Sequence, residues 1–372
     1  MTTVTLAIIA FAAGLDLLIG EPRSAFHPVA WFGRLVGLVD REWDLSERAQ
    51  RLMGLLVAIT FPLGAAGLVA VAVVVAGRIH YAAPALTAGV VLFLTTSLRS
   101  LLELTADVVE TSERDPGAAR ESVRGLVGRD ASDLSPGELR SAAVESAAEN
   151  LADGYVATLV PFVLLAPLSL PAAAAVATWI KAVNTLDSMV GYPEKPIGTA
   201  SARLDDAVMW LPARLAALLL AVAAGRPGAL ARASEWARAP PSPNSGWPMA
   251  VTAAVLDVRL AKPGVYDLNP GARLPTVDDG ETAVTLVGLG AVLAVLVAAV
   301  GAIAVSLFVE PAMAAGTRDL VVAAVTANSM IDIDVGSSMF ATAAVALAIT
   351  APERTGSRNR DARGSRTEGI RG

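Results

Sequence analysis

The chain has 372 residues, 54% of them hydrophobic and 17% charged, with a formal net charge of -6; soluble domains carry about 25% charged residues. With a mean hydropathy of +0.56, this composition defines an integral membrane protein. The lack of cysteine excludes disulfides, thiolate nucleophiles and Cys-based zinc sites, the presence of only His27 and His80 excludes multi-histidine metal centres, and the acidic balance argues against a nucleic-acid partner.

Residues 2–20 form the first apolar run. It has no basic start and no small-residue cleavage site, so it reads as a retained helix rather than a signal peptide. Asp16 interrupts it, either as a functional residue facing the interior or as a helix-end residue reaching water. A turn-rich segment with Pro22 and Pro28 follows, then residues 31–51, which read as one amphipathic helix on the bilayer surface with Trp31, Leu35, Leu38 and Val39. Residues 52–76 and 82–98 are long enough to span, with His80 a loop residue between them. From residue 99 charges return, and Asp115-Pro-Gly breaks the helical pattern. Ser135-Pro-Gly-Glu138 is a capping box, so a helix starting at Ser135 carries Glu145, Glu149 and Asp153.

Residues 155–183 are apolar but contain Pro161, Pro167 and Pro171. They either cross once with kinks or enter and return as a hairpin turning near Ser169. Residues 184–206 are polar; 207–224 form a further span with Pro212 and Arg214; 225–281 are a polar loop with Arg226, Arg232 and Arg238. Residues 283–309 are the clearest spanning helix. Residues 320–350 are a last apolar region broken by Asp332 and Asp334, and the basic tail 353–372 is disordered by composition. There is no internal repeat. The expectation is an all-α polytopic membrane protein with about five to seven transmembrane helices, one apolar run being a kinked crossing or a re-entrant hairpin, and amphipathic helices in the loops. Residues 1–352 form one membrane domain. Lys and Arg alternate between runs, five in 21–51 against one in 77–81 and six in 99–154. The positive-inside rule then places the large loops and tail in the cytoplasm of a multi-pass cell-membrane protein. A single crossing by 155–183 would put residues 184–206 opposite Glu145–Asp153, whereas a hairpin would put both on one face.

Three polar clusters border the apolar runs. In the first, Glu145, Glu149 and Asp153 lie at i, i+4 and i+8 beside Asn150, and like charges at that spacing call for a partner. The second holds Asn184, Asp187 and Ser188 on one helical face, followed by Arg203, Asp205 and Asp206. Ser242-Pro-Asn-Ser-Gly-Trp-Pro248 is the third, a rigid turn offering Asn244 and Trp247. Oxygen ligands without His or Cys suit Mg²⁺, which binds through one or two carboxylates plus substrate phosphates. Arg203 and Arg214 are candidate clamps for a phosphate or carboxylate. There is no P-loop and no dinucleotide-binding glycine motif. Asp205 or Asp206 also reads as a helix cap, and Trp247 as an interface anchor.

Leu15-Asp-Leu-Leu-Ile-Gly-Glu-Pro22 with His27-Pro28, Glu145-Ser-Ala-Ala-Glu-Asn-Leu-Ala-Asp-Gly154, Asn184-Thr-Leu-Asp-Ser-Met-Val-Gly-Tyr192, Ser201-Ala-Arg-Leu-Asp-Asp206, Pro212-Ala-Arg214 and Ser242–Pro248 occur in order over residues 10–270. This series resembles the CobD/CbiB family of adenosylcobinamide-phosphate synthases. The resemblance implies a polytopic membrane ligase of cobalamin biosynthesis that joins the propionate carboxyl of adenosylcobyric acid to aminopropanol or its phosphate, with ATP and Mg²⁺. It further implies other late cobalamin-biosynthesis membrane enzymes as partners. On this reading Glu145, Glu149, Asp187 and His27 are catalytic. Asn150, Asn184, Ser188, Arg203, Arg214, Asn244 and Trp247 meet substrate, while Glu145, Glu149, Asp153 and Asp205 hold Mg²⁺. Glu21 stands where the family usually has Asp, the stretch between Tyr192 and Ser201 is short, and the similarity fades after about Asp267. The rival classes are a transporter, kept open by Asp16, Asp332 and Asp334 but disfavoured by the lack of repeated halves, and a non-catalytic scaffold for corrinoid enzymes.

Overall fold

The computed structural model describes residues 2–127 and 131–312. The expectations for residues 320–350, including Asp332 and Asp334, and for the basic tail lie outside them. The first apolar run is helix α1 (Thr2–Ile19). Asp16 near its end accepts from the backbone N of Arg99 at 3.0 Å, and the Arg99 guanidinium donates to Leu17 O at 2.9 Å. Asp16 is therefore buried and faces the interior, where it accepts from the first residue of another helix; it does not reach water.

Residues 31–51 are not one amphipathic helix. Helix α2 (Pro28–Gly37) is capped by the His27 side chain, and α3 (Glu47–Ala76) starts afresh at its own cap, Ser46. The charged segment between them is held by an ion pair of Asp40 with Lys195 at 2.6 Å, so this stretch is tied to protein rather than lying free on a surface. Helix α3 has 30 residues, about 45 Å at 1.5 Å per residue. Helix α4 (Ala83–Thr95) continues past a short break into α5 (Arg99–Arg114), followed by α6 (Pro116–Val123).

Helix α7 (Pro136–Asn150) starts at the expected capping box, with Ser135 and Glu138 satisfying each other's backbone N–H groups. It does not stop at the apolar run. A π-helical turn (Leu151–Val156) leads directly into α8 (Ala157–Leu165). Helix α8 has nine residues, about 13 Å, less than half of a ~30 Å hydrocarbon layer. After a turn at 166–169, α9 (Leu170–Val190), capped by Ser169, packs back along α8. Residues 155–183 therefore form a helical hairpin and not one kinked helix.

A 3₁₀ turn (Pro196–Gly198) joins α9 to α10 (Thr199–Val208), which meets α11 (Trp210–Ala223) at a 46° bend. That turn is pressed between helices. A Cβ on Gly198 would lie 1.6 Å from the Val190 carbonyl oxygen, and one on Gly54 of α3 would lie 1.9 Å from that of Ile197. Helices α12 (Ala229–Ala233) and α13 (Gly246–Leu256) precede a small antiparallel hairpin, β1 (Leu260–Lys262) and β2 (Tyr266–Leu268), which is the one departure from an all-α fold among the described residues. Helix α14 (Val277–Ala312) contains the clearest span.

Among the described residues four helices, α1, α3, the α4–α5 pair and α14, are long and apolar enough to cross a membrane, and the bent α10–α11 pair makes a fifth if it is one span. Leu55, Ile59 and Leu63 of α3 and Val292, Leu296 and Val300 of α14 stay exposed on their outer faces, as expected of surfaces that meet lipid. The inner faces are alanine-rich: Ala147, Ala177, Ala217, Ala250, Ala291 and Ala294 share one core. Small residues let helix backbones approach closely where burial of large side chains brings no advantage over lipid.

Candidate active site

The hairpin decides where the polar clusters meet. Because α8 and α9 return the chain, Asn184 and Asp187 near the end of α9 come alongside Glu149 and Asp153. Asp205 on α10 completes the group. Asp153 interacts with the charges of Glu149, Asp187, Asp205 and Lys181, and Glu149 with those of Glu145, Asp187 and Lys262. Asp153 falls on the widened π turn rather than at a regular i+8 position; such turns are often found at functional sites. Glu149 is only half-buried by surface area, yet it lies deep among protein atoms. Burial first, then the Glu145 and Asp187 charges, push its carboxyl up to about 7 against the opposing pull of Lys262.

Glu145 has a different place from its neighbours. It is 4% exposed, accepts from Ser141 Oγ at 2.7 Å and from Tyr266 Oη at 2.6 Å, and Ser141 Oγ in turn accepts from Ala261 N at 2.8 Å. Glu145 thus ties α7 to the β hairpin. The carboxylates with spare capacity are elsewhere: Asp187 Oδ1 and Asp205 Oδ1 are buried with no hydrogen-bond partner. Asn184 hydrogen-bonds the Asp205 side chain. Among the described residues no three His, Asp or Glu side chains are drawn together as a ready metal cage. Two orphaned carboxylate oxygens with acidic neighbours are a donor set that fits Mg²⁺ bound partly through substrate phosphates.

The Ser242–Pro248 turn packs beside α10. Ser242 Oγ donates to Asp206 Oδ1 at 3.3 Å, and Asn244 Nδ2 donates to the Asp206 carbonyl at 2.8 Å. Arg214 fastens this turn by donating to Asn244 Oδ1 (2.5 Å), Pro243 O (3.1 Å) and Trp210 O (2.9 Å) while stacking on Trp210 and Trp247. Its guanidinium is engaged with protein, so Arg214, Asn244 and Trp247 serve first to hold the wall of the site. Arg203 is exposed with no hydrogen bond or ion pair among the described residues, and so has its donors available. Asn150 donates to Ser146 O and Oγ, and exposed Ser188 donates to Thr185 O.

His27 lies apart from the acids, at a cavity of about 550 Å³ lined by Glu21, Arg23, His27, Ser100, Lys181 and Thr185. Its Nδ1 accepts from Val29 N at 3.2 Å, which places the hydrogen on Nε2, facing Glu21 Oε1 at 3.5 Å. Burial lowers the imidazole pKa, the Glu21 charge raises it and that of Lys181 lowers it. Lys181 joins this cavity to the acid cluster, since its charge meets both Glu21 and Asp153. Sequence reasoning missed Lys181, Lys262 and Tyr266. For Lys181 the signal was present, a lone cation inside an apolar run; the other two lie in a polar loop where nothing set them apart.

Fold and site together define a helical membrane protein with an acidic, oxygen-rich centre beside the α8–α9 hairpin. The family model described as "CobD/Cbib protein" matches residues 9–287, and the chain belongs to the CobD/CbiB family. It is 35% identical over 315 residues to "Probable cobalamin biosynthesis protein CobD" of Methanothrix thermoacetophila, covering 79% of this chain and 95% of that protein. It is 37% identical to "Cobalamin biosynthesis protein CobD" of Rhodobacter capsulatus, covering 70% and 83%, and 37% identical to "Cobalamin biosynthesis protein CbiB" of Salmonella arizonae, covering 68% and 81%. The family match runs on to residue 287, past the expected fading at Asp267 and into α14. No solved structure matches the chain.

Proposed function

We propose that this protein acts in cobalamin biosynthesis as an ATP- and Mg²⁺-dependent ligase. It would join the propionate carboxyl of adenosylcobyric acid to aminopropanol or aminopropanol phosphate and so yield adenosylcobinamide or its phosphate. The observation that carries this reading is the mutual charge interaction of Glu149, Asp153, Asp187 and Asp205, with Asp187 and Asp205 each holding a buried carboxylate oxygen that has no hydrogen-bond partner. Family membership supports it as well.

A carboxylate is a poor electrophile, so its oxygen first attacks phosphorus of ATP to give an acyl phosphate with loss of ADP, or an acyl adenylate with loss of pyrophosphate. The amine nitrogen then attacks the acyl carbon, and phosphate or AMP leaves. Mg²⁺ held by Asp187 and Asp205 would neutralise charge developing on the phosphates. The amine must shed a proton, and a carboxylate poised at about 7 is matched to that task near neutral pH; Glu149 is therefore the base. Exposed Arg203 on α10 is placed to meet an anionic group of the arriving substrate, and neutral His27 offers a proton relay at the neighbouring cavity. The large loops face the cytoplasm, where ATP is supplied.

Membrane-inserted Glu149→Gln and Asp187→Asn proteins should lose ATP-dependent formation of the cobinamide product; full activity in both would refute the assignment. In cells, a strain lacking this gene should grow on cobinamide but not on cobyric acid. Growth on cobyric acid would point instead to a transporter or scaffold.

A further inference from the structure

The cavity beside His27 has a charge arrangement that the carboxylate centre does not explain. Lys181 reaches it from α9, where Lys181 and Thr185 are one turn apart and both line the wall. Among the described residues Lys181 has no hydrogen bond and no acid within ion-pair distance, although it is buried deeply enough to interact with Glu21 and Asp153. The nearer acid of the cavity is occupied: Glu21 Oε2 accepts from Ser97 Oγ at 3.2 Å, and Oε1 faces His27 Nε2 at 3.5 Å. Exposed Arg23 adds a second cation at the rim, and Ser24, Ser100 and Thr185 add hydroxyls. A half-buried ammonium without a counter-ion has lost part of its hydration, and an anion entering the cavity gives it a partner.

We propose that this cavity is a phosphoryl-binding subsite, with half-buried Lys181 as its inner cation. On α9 one face carries Lys181 and Thr185 into the cavity, while the adjoining face carries Asn184 and Asp187 to the acid cluster. A phosphoryl group on Lys181 would thus lie beside the carboxylate centre. Two carriers present the same chemistry, the phosphate chain of a nucleotide and the phosphate ester of the amine substrate. The inference rests on the amide-forming reading for the identity of those carriers, not for the subsite itself.

The test is binding to the full-length protein in lipid nanodiscs, with aminopropanol phosphate and a non-hydrolysable ATP analogue as probes, compared among wild type, Lys181→Gln, Lys181→Arg and Gly33→Leu. Gly33 lines the cavity from α2 and a Cβ there meets nothing closer than Met189 Sδ at 3.5 Å, so a leucine can be added there without a backbone overlap and takes up space at the wall. Lys181→Gln and Gly33→Leu should each weaken one probe by about tenfold or more, the scale of a hydrogen bond to a charged group, and Lys181→Arg should keep most of the affinity. Weakened aminopropanol phosphate names the amine ester as the occupant; a weakened ATP analogue names the nucleotide. Unchanged binding of both probes in both variants, or binding of neither by the wild type, would overturn the subsite. Amide synthesis by the wild type is measured separately. Synthesis with Lys181-independent binding sinks this inference alone, and Lys181-dependent binding without synthesis sinks the ligase reading alone.

Discussion

Tyr266 on β2 donates its phenolic hydrogen to Glu145 on α7 across 2.6 Å, joining residues 121 positions apart in the chain. A buried carboxylate held this way acts as a brace. Tyr266→Phe removes a charge-assisted hydrogen bond and should lower stability by about 1–3 kcal/mol. The check is a fall in the thermal midpoint of the detergent-solubilised protein. Glu145→Gln, which keeps an acceptor for Tyr266, should cost less than Glu145→Ala.

Mg²⁺ should raise the thermal midpoint of the wild type in the presence of a non-hydrolysable ATP analogue, because binding to the folded state alone stabilises it by mass action. Asp205→Asn and Asp187→Asn should each abolish most of that increment and leave the midpoint in chelator equal to or above that of the wild type. Removing a charge from a repelling group relieves strain in the empty site. A midpoint well below wild type in chelator would assign both residues to structure instead.

The raised Glu149 pKa sets a direction for pH dependence. Its carboxyl has an ordinary value of 4.5 and sits at about 7 when folded, so between those values the folded state binds more protons than the unfolded. Stability attributable to this group is then present below about pH 4.5, declines as pH rises, and is fully lost above about pH 7. Glu149→Gln should remove this decline. Activity should run the opposite way in the wild type, rising as pH passes about 7 and the base becomes free of its proton, as read from kcat/KM against pH.

Gly198→Ala should destabilise the protein severely, by about 3 kcal/mol or more, since its Cβ would overlap the Val190 carbonyl oxygen at 1.6 Å. The 3₁₀ turn positions α10, so product formation should fall with stability. Gly225→Asn serves as a comparison. That residue has positive φ and open space around it, and Asn tolerates such a backbone, so the variant should stay near wild type.

Much of this arrangement was legible before the fold was known. The Ser135–Glu138 capping box fixed where α7 begins, because reciprocal caps are local chemistry. The spans in α3 and α14 followed from length and hydropathy. The ordered motifs carried the family. What escaped were relationships between distant segments. Asp16 looked functional because its partner, the Arg99 backbone, carries no side-chain signal. The segment between α2 and α3 is tied down through Asp40 by Lys195, which is 155 residues away. The prolines of 155–183 fitted a kinked crossing and a hairpin equally, and only packing of α9 on α8 separates them. Lys181 was concealed by the apolar residues around it.

The hairpin has a consequence for movement. Helix α9 packs back along α8 past one short turn at 166–169, so a shift of α9 along α8 would carry Lys181, Asn184 and Asp187 together while Glu149 and Asp153 stay in place. The packing of α8 on α9 thus sets how far apart the acids of the two arms stand.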